Sequence, residues 1–160
     1  MSDLDAASFR QLLGRFATGV TVITAEDGSG HPAGMTANTL VSVSLVPPLI
    51  SVSIDHAADM HGTMQHASRF TVNILASDQE AISRRFAEQG TRRFEGIGFL
   101  RSDLGGIILE GVLAHIECER VAEYPTGDHS IYIGRVLGGG TGEGEPLLYY
   151  RGGYAGLARG

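Results

Sequence analysis

The stretch GMTANTLVSVSLVPPLISVSID, residues 34–55, has the clearest strand pattern in the chain. In residues 41–45 and again in residues 50–55, every second side chain is apolar, and the side chains between them are serines and one aspartate. Alternation with a period of two is typical of a half-buried strand. Serine has no strong strand preference and covers little of the backbone. A face of serines therefore lets another molecule approach the main chain closely.

This serine face has two interpretations from the residues alone. It is either a face of small residues that meets water or another subunit, or the place where a flat polar ligand lies along the strand ends. Gly34 and the run Thr36-Ala37-Asn38-Thr39 add backbone amides and small side chains on the same approach. Such groups can hydrogen-bond a heteroaromatic ring without crowding it.

Composition limits the classes of protein that fit. A length of 160 residues suits one domain, 1–160, with one core, and 42% hydrophobic residues argue against disorder. The net charge is −6 and no basic block is present, so nucleic acid is not an expected partner. All 12 basic side chains are arginine, which suits paired contacts to phosphate.

The single cysteine and the start of the chain indicate a cytoplasmic protein. Cys118 cannot form an internal disulfide, as expected for a reducing compartment. The start MSDLDAASF lacks the basic and apolar regions of a signal peptide, and no segment has enough unbroken apolar residues to cross a bilayer. Cys118 alternates with Ile116 and Ala114, which predicts a small core residue and not a nucleophile.

Three helices are predicted from spacing and capping residues. The apolar residues of FRQLLGRF (9–16) recur at helical spacing, with Ser8 placed to cap them. The run SDQE (77–80) has the capping-box pattern and opens a helix through Phe86. Residues 57–68 are polar and predicted to be helical.

Alternation and turn residues predict strands over most of the remaining chain, with EDGSG (26–30) as a tight hairpin turn. No strand–helix–strand rhythm occurs, so a doubly wound sheet is disfavoured. Antiparallel strands of this kind usually close into a small barrel or a sandwich. The predicted strands are 20–25, 31–37, the two serine-faced strands, 70–75, 110–123, 129–137 and 146–152, with 88–106 as an irregular excursion.

The glycine runs and histidines do not match common nucleotide or metal motifs. GSGHPAG and GGGTGEGE lack the Lys-Ser/Thr ending of a phosphate loop and lead into no helix, so a bound nucleotide would not use a Rossmann site. His56, His61 and His66 are spaced by five, which does not stack side chains on one helical face, and no metal site is predicted. Neither a GxSxG elbow nor a pair of carboxylates suited to acid–base work is evident.

Two further motifs have open interpretations. In GDH (127–129), the residues alone favour a turn aspartate and a strand-edge histidine, while an imidazole at a strand mouth could contact a carboxamide or a phosphate. YYRGGY (149–154) is either a final strand with a glycine turn or a wall for a nucleotide, with Arg151 as a charge contact.

Taken together, these segments resemble the short-chain flavin reductase family, the small component of two-component flavin-dependent monooxygenases. The resemblance covers nearly the whole chain in the expected order. The segments that carry it are FATGVTVIT (16–24), GMTANTLVSVSLVPPLISVSI (34–54), FTVNIL (70–75), SRRFA (83–87), RRFEGI (92–97), GDH (127–129) and PLLYYRGGYAGL (146–157).

The resemblance implies an FMN-binding split barrel, a mainly β, antiparallel Greek-key barrel with a few inserted helices, usually a homodimer. It implies an NAD(P)H:flavin oxidoreductase that uses NADH or NADPH to reduce FMN or FAD and releases reduced flavin to a partner monooxygenase. Cofactors carry such chemistry, and the protein supplies orientation and a dry contact. The alternatives are a flavoprotein of the same fold that retains its flavin and reduces another acceptor, and a non-catalytic flavin- or haem-binding module.

The resemblance also implies where each part of the cofactors lies. The flavin ring is expected against Gly34, Met35, Thr36, Ala37, Asn38 and Thr39. The ribityl chain and phosphate are expected along Ser51, Ser53, Ile54, Asp55, His56, Ala57, Ala58 and Asp59, with Arg85 and Phe86 approaching the flavin. The nicotinamide side is expected at His129, as a positioning group, and at Tyr150, Arg151, Gly152 and Tyr154.

The sequence departs from the family at one place. The family has hydroxyl residues in a Ser-x-Thr pattern after the second serine strand, and Ala58 and Met60 stand there in this chain. Backbone amides, His56 or Arg85 are the groups that can replace those hydroxyls at the phosphate. A loosely held phosphate would suit a reductase that treats flavin as a substrate.

Overall fold

In the computed structural model, which describes residues 3–90 and 92–160, the chain forms three short helices and twelve strands. The helices are α1 (Ala6–Leu13), α2 (Asp59–His66) and α3 (Glu80–Ala87). The strands are β1 (Thr18–Gly19), β2 (Thr21–Glu26), β3 (Pro32–Ala37), β4 (Val41–Leu45), β5 (Pro48–Asp55), β6 (Arg69–Ile74), β7 (Phe99–Arg101), β8 (Ile107–Leu109), β9 (Ala114–Thr126), β10 (His129–Thr141), β11 (Leu148–Tyr150) and β12 (Gly153–Ala155).

Seven strands form the main sheet, in the order β3-β2-β6-β9-β10-β5-β4, and every pairing is antiparallel. Two small sheets, β1-β11-β12 and β7-β8, accompany it. The predicted mainly β, antiparallel architecture with a few inserted helices is confirmed. The main sheet is not closed within the described residues, because β3 and β4 are its two edges.

The apolar half of the β5 alternation forms part of the core. Ile50, Val52 and Ile54 are buried, while Ser51 and Ser53 point to the opposite face and are half-buried. The core around these residues includes Ile23, Met60, Met64, Phe70, Val72 and Tyr132. The predicted serine face therefore exists on β5, directly behind the core.

The apolar residues of β4 do not face this core. Val41 and Val43 are about half exposed, and Leu45 and Val46 are 85% and 93% exposed. Since alternation does not state which face of a strand is buried, the sequence could not predict this arrangement. An edge strand with exposed apolar side chains is prone to association unless something covers it.

A second core holds α3 against β3. Phe86 is fully buried and packs with Val22, Leu75 and Leu109. A Cβ atom added to Gly34 would lie 2.9 Å from Cε1 of Phe86, so only glycine leaves room for this ring. Gly34 therefore serves close packing of the helix on the strand.

Both predicted helix caps are wrong. The α1 helix is capped by Asp5, whose Oδ1 accepts a hydrogen bond from the Ser8 amide. The predicted capping box between Ser77 and Glu80 does not form. Instead, Gln79 occupies the N-cap position and its Oε1 accepts from the Ala76 amide.

Three predicted segments differ from the strands in the structure. The excursion 88–106 includes β7, which pairs with β8. The final strand 146–152 divides into β11 and β12 around Arg151 and Gly152, whose φ angles of 53° and 77° are those of a tight hairpin turn. The GGGTGEGE run is also partly strand, because β10 extends to Thr141.

Cys118 is buried in the core, as predicted, and burial raises the pKa of its thiol to about 12. The thiol is therefore protonated at neutral pH and is not a nucleophile. Within the described residues, none of the helices has the length and apolar character needed to span a bilayer. The predicted domain, 1–160, includes Met1, Ser2 and Thr91, which lie outside the described residues.

Candidate functional site

The strand expected to carry the flavin ring, β3, is an edge of the main sheet. Two contacts are made at Gly34 in this strand: Arg93 donates from Nη1 to the Gly34 carbonyl (2.8 Å), and Phe86 fills the space beside Gly34. The end of the strand is more open, and Asn38 is exposed there with its Nδ2 3.3 Å from Thr18 Oγ1. The exposed residue at this end of the strand is thus Asn38, which directly follows β3.

The end of β3 is joined to the serine face of β5 by one side chain. The Thr39 hydroxyl donates to the Ser53 carbonyl (3.1 Å) and accepts from the Ser53 amide (3.0 Å). Two segments separated by 14 residues in sequence are therefore in direct contact. The exposed end of one edge strand and a face of small side chains form one continuous surface.

The β5 exit is a tight turn that lies beside the start of β10. Asp55 accepts from the Ala57 amide through Oδ1 (2.8 Å) and from the Ala58 amide through its carbonyl (3.0 Å). His129 is paired with Asp55 in the strand register, and the His56 amide donates to the Asp128 carbonyl (2.9 Å). The structure thus brings His129 to the segment expected to hold the flavin phosphate.

His129 is oriented by its neighbour in sequence. Its Nδ1 lies 2.7 Å from Oδ1 of Asp128, and this hydrogen bond lowers the pKa of the Asp128 carboxyl below its ordinary value. With Nδ1 engaged, Nε2 is the nitrogen that can contact another molecule. The side chain of His129 is 41% exposed, so this nitrogen is within reach of a ligand.

A polar network beneath the turn was not predicted. His56 Nε2 lies 2.9 Å from Ser130 Oγ, and that hydroxyl donates to Glu123 (2.9 Å). The Tyr132 hydroxyl lies 2.8 Å from His61 Nδ1, and burial raises the pKa of Tyr132 to about 12. Ser130 and Tyr132 both lie on the core-facing side of β10. Two residues with hydroxyl groups at a spacing of two in this strand were the sequence feature that could have indicated the network.

The C-terminal hairpin reaches β3 through α3. The Tyr154 hydroxyl lies 2.7 Å from Ser83 Oγ, and the Ser83 carbonyl accepts from Thr36 Oγ1 (2.6 Å). The guanidinium of Arg84 lies 4.9 Å from the centre of the Tyr154 ring. Ser83 and Arg84 were not predicted as site residues, although both belong to the SRRFA segment.

The other predicted residues of these elements have structural partners as well. Arg85 donates from Nη1 to the Glu95 carbonyl (2.8 Å), and Phe86 is buried behind β3. The Arg151 guanidinium lies 5.6 Å from the centre of the Tyr150 ring. The predicted residues therefore form two groups on either side of β3. His129 and the β5 exit form one, and α3 with Tyr154 forms the other.

A pocket of about 620 Å³ opens beside Gly34 and Asp59. Arg93, which was not predicted, lines it and joins these two residues, with Nη2 3.7 Å from the Asp59 carboxylate. The Nε of Arg93 is buried without a hydrogen-bond partner in the described part of the chain. In residues 3–90 and 92–160, no three His, Cys, Asp or Glu side chains are grouped to hold a metal ion.

The chain matches the flavin reductase-like domain family over residues 13–158. It is 39% identical over 155 residues to the FMN reductase (NADH) SmoA of Agrobacterium fabrum, which covers 97% of this chain and 88% of that protein. It is 37% identical over 155 residues to the flavin-dependent monooxygenase reductase subunit HsaB of Rhodococcus jostii, which covers 96% of this chain and 79% of that one.

A solved structure is also similar over the whole chain. The NADH:FAD oxidoreductase SgcE6 of Streptomyces globisporus, in complex with NAD and FAD fragments, superposes with a TM-score of 0.91 at 32% identity, covering 98% of each chain. The predicted family and fold class are thereby confirmed. A family match that spans nearly all of the sequence, together with relatives of similar length, gives the assignment: the chain belongs to the flavin reductase-like domain family.

Proposed function

We propose that flavin is reduced at the end of β3, on the surface that the Thr39–Ser53 contact makes continuous with the serine face of β5. The protein is an NAD(P)H-dependent flavin reductase that supplies reduced flavin to a partner monooxygenase. Relatives named as an FMN reductase, an NADH:FAD oxidoreductase and a monooxygenase reductase subunit support this function. The single observation that carries the location is the Thr39–Ser53 contact, because it joins the segment of the exposed Asn38 to a face without bulky side chains.

The residues present fit a flat heteroaromatic ring with a polyhydroxyl chain. Asn38 and the backbone at the end of β3 offer donors and acceptors to the ring, and the half-buried Ser51 and Ser53 offer hydroxyls to the chain. None of these side chains is large enough to block a stacked second ring. Flavin, when bound, supplies the hydride acceptor, and the nicotinamide nucleotide supplies the donor.

The phosphate of the flavin is assigned to the β5 exit and the start of α2. Ala58 is the N-cap of α2 and provides no side-chain hydrogen bond, so the first amides of the helix have no hydroxyl cap. His56 is exposed beside them and is held by Ser130. Asp59 in the first turn opposes a phosphate electrostatically. These groups would hold the phosphate loosely, which suits flavin that leaves after reduction.

His129 is assigned to the nicotinamide as a positioning residue. Asp128 fixes its ring through Nδ1, which leaves Nε2 to contact a carboxamide or a phosphate. The hydride passes between two cofactors, so the protein needs no side chain for acid–base work at the reacting atoms. Orientation of the two rings is the contribution that the protein makes to the rate.

The exposed apolar residues support a homodimer. The α1 helix buries none of its residues, and its apolar side faces outward, with Leu12 62% and Phe16 of the following turn 74% exposed. The edge strand β4 adds Leu45, which is 85% exposed. Apolar surface of this kind marks an interaction site in a folded protein. We propose that a second copy covers it, and that this single-domain protein works in the cytoplasm, where an unpaired Cys118 is expected.

NADH oxidation tests the function directly. The purified protein should oxidise NADH or NADPH only when FMN or FAD is added, measured by the loss of absorbance of the reduced nicotinamide. A firmly bound yellow chromophore with no need for added flavin would instead indicate a flavoprotein that retains its flavin. If NADH and NADPH are not oxidised under either condition, the remaining interpretation is a non-catalytic flavin- or haem-binding module.

Ser53→Phe should lower flavin affinity by at least about tenfold, because the ring would occupy the face assigned to the flavin. Fluorescence titration with FMN and FAD measures this affinity. Ser77→Phe, on an exposed residue before α3, is the matched control and should bind flavin like the wild type. Unchanged affinity in a folded Ser53→Phe variant would remove this residue from the site.

His129→Ala should raise the KM for NADH about tenfold and change flavin affinity by less than about twofold, since a polar contact to the nicotinamide side is lost. Steady-state kinetics and flavin titration give the two values. His66→Ala is the control, because the hydrogen bond of the His66 ring among the described residues is to the Gly62 carbonyl of its own helix. Equal loss of both functions would argue against the assignment.

Leu12→Glu should convert a dimer into a monomer, because a carboxylate would be buried in an apolar interface. Analytical ultracentrifugation at micromolar protein concentration measures the mass. Ala7→Glu places the same charge on the opposite side of α1 and should leave the dimer intact. A wild-type protein that sediments as a monomer would contradict the proposed interface.

A further inference from the structure

Among the described residues, three arginines differ from the others because their side chains make no hydrogen bond and no ion pair. The chain contains 12 basic residues, all arginine. Within the described residues, the side chains of Arg10, Arg15 and Arg151 make no hydrogen bond or ion pair. The other nine arginines make at least one, and these are Arg69, Arg84, Arg85, Arg92, Arg93, Arg101, Arg120, Arg135 and Arg159.

The three arginines that make no side-chain hydrogen bond or ion pair in the described part of the chain line one pocket. Its volume is about 450 Å³, and it lies between the end of α1 and the β11–β12 turn. The remaining lining comes from Gln11 and two glycines, and among the described residues no carboxylate contributes to it. Three arginines therefore contribute to the lining of one pocket in a chain whose net charge is −6.

The backbone holds this pocket in a fixed shape. The Arg151 amide donates to the Gly14 carbonyl (3.0 Å), which attaches the hairpin turn to the end of α1. Arg151 has a φ of 53°, a conformation that is uncommon for any residue other than glycine. Its guanidinium also lies near the Tyr150 ring. This conformation belongs to the tight β11–β12 turn, and it holds Arg151 beside the end of α1.

Neither the helix nor the neighbouring residues balance the charge. The carboxyl end of a helix carries about half of one negative charge, which offsets a small part of three cations. Clustered like charges repel one another, and a dianion in the pocket would relieve that repulsion. Guanidinium groups bind phosphate oxygens through paired hydrogen bonds, so phosphate chemistry fits the pocket better than a single carboxylate does.

We propose that this arginine pocket binds the diphosphate group of a nucleotide, and that the nucleotide is NAD(P)H. The choice of NAD(P)H rests on the proposed function. Arg151 belongs to the hairpin of Tyr150 and Tyr154, which is assigned to the nicotinamide side. The flavin phosphate is assigned to the β5 exit, which is a different element. Arg10 and Arg15 thereby become binding residues for the phosphate end of the reductant.

The first experiment tests the pocket without any nucleotide. Isothermal titration of the whole protein with inorganic pyrophosphate at low ionic strength should show binding that weakens as salt is added. Arg15→Ala should weaken it at least about tenfold. Arg135→Ala, which breaks only an exposed ion pair with Glu119, should bind like the wild type. Absence of binding to the wild type, or equal loss in both variants, overturns the proposal.

The second experiment identifies the source of the diphosphate. Arg15→Ala should raise the KM for NADH about tenfold, with kcat and the KM for FAD within about twofold of the wild type. Arg15→Lys should recover part of the loss because it keeps the charge. A raised KM for FAD with an unchanged KM for NADH overturns the assignment to the nicotinamide nucleotide. If Arg15→Ala makes the protein monomeric and leaves its pyrophosphate affinity unchanged, Arg15 belongs to a subunit contact, and this result also overturns the proposal.

Failure of this inference is distinguishable from failure of the proposed function. Active wild-type protein whose kinetics and pyrophosphate binding are unaffected by Arg15→Ala contradicts the pocket alone. Wild-type protein that binds pyrophosphate but does not oxidise NAD(P)H with any flavin contradicts the proposed function, and with it NAD(P)H as the occupant. Melting temperatures of the variants, measured in parallel, identify any loss of folding.

Discussion

The contact between Phe86 and Gly34 determines how the site is assembled. The ring occupies the space of a missing side chain, so α3 lies closer to β3 than any residue with a Cβ would allow. Ser83, one turn before Phe86 on this helix, then meets Thr36 on the strand and Tyr154 on the last strand. A single close approach thereby places three elements that are distant in sequence around one edge of the sheet.

The other side of that edge depends on small residues as well. The Thr39 hydroxyl makes two hydrogen bonds to the backbone of Ser53. The serines of β5 beside it have short side chains, so they do not block the approach of a ligand. On β5 the apolar residues fill the core and the serines are left for the opposite face. One face of β5 therefore contributes to the stability of the core, and the opposite face remains available for binding. A protein that passes its flavin to a partner needs such an accessible surface more than an enclosed cavity.

Much of the fold could be predicted from periodicity. The alternation in β2, β5 and β10 reflects burial of one or both faces and was readable from the residues. The N-cap of α1 could not be predicted, because Asp5 and Ser8 are both suitable capping residues and spacing alone does not distinguish between them. The extension of β10 through Gly140 was also hidden, because it depends on pairing with His115 of β9. That pairing is set by the tertiary structure.

The same distinction applies to the site. Motifs that are continuous in sequence, such as Gly-Asp-His and the stretch from Gly34 to Thr39, could be identified from the residues and the family resemblance. The His56–Ser130 contact joins positions 74 residues apart, and no local pattern indicates it. The lack of hydrogen bonds and ion pairs at the side chains of Arg10, Arg15 and Arg151 is likewise a property of the folded chain, since it can be seen only when the contacts of every described arginine are known.

A crystal structure of the protein with bound flavin tests the central claim most directly. The flavin ring is expected to lie against the end of β3, between Asn38 and the serine face of β5, with its phosphate at the turn that follows Asp55. A ring bound elsewhere, with that edge covered by neighbouring side chains or by a second copy, would contradict it.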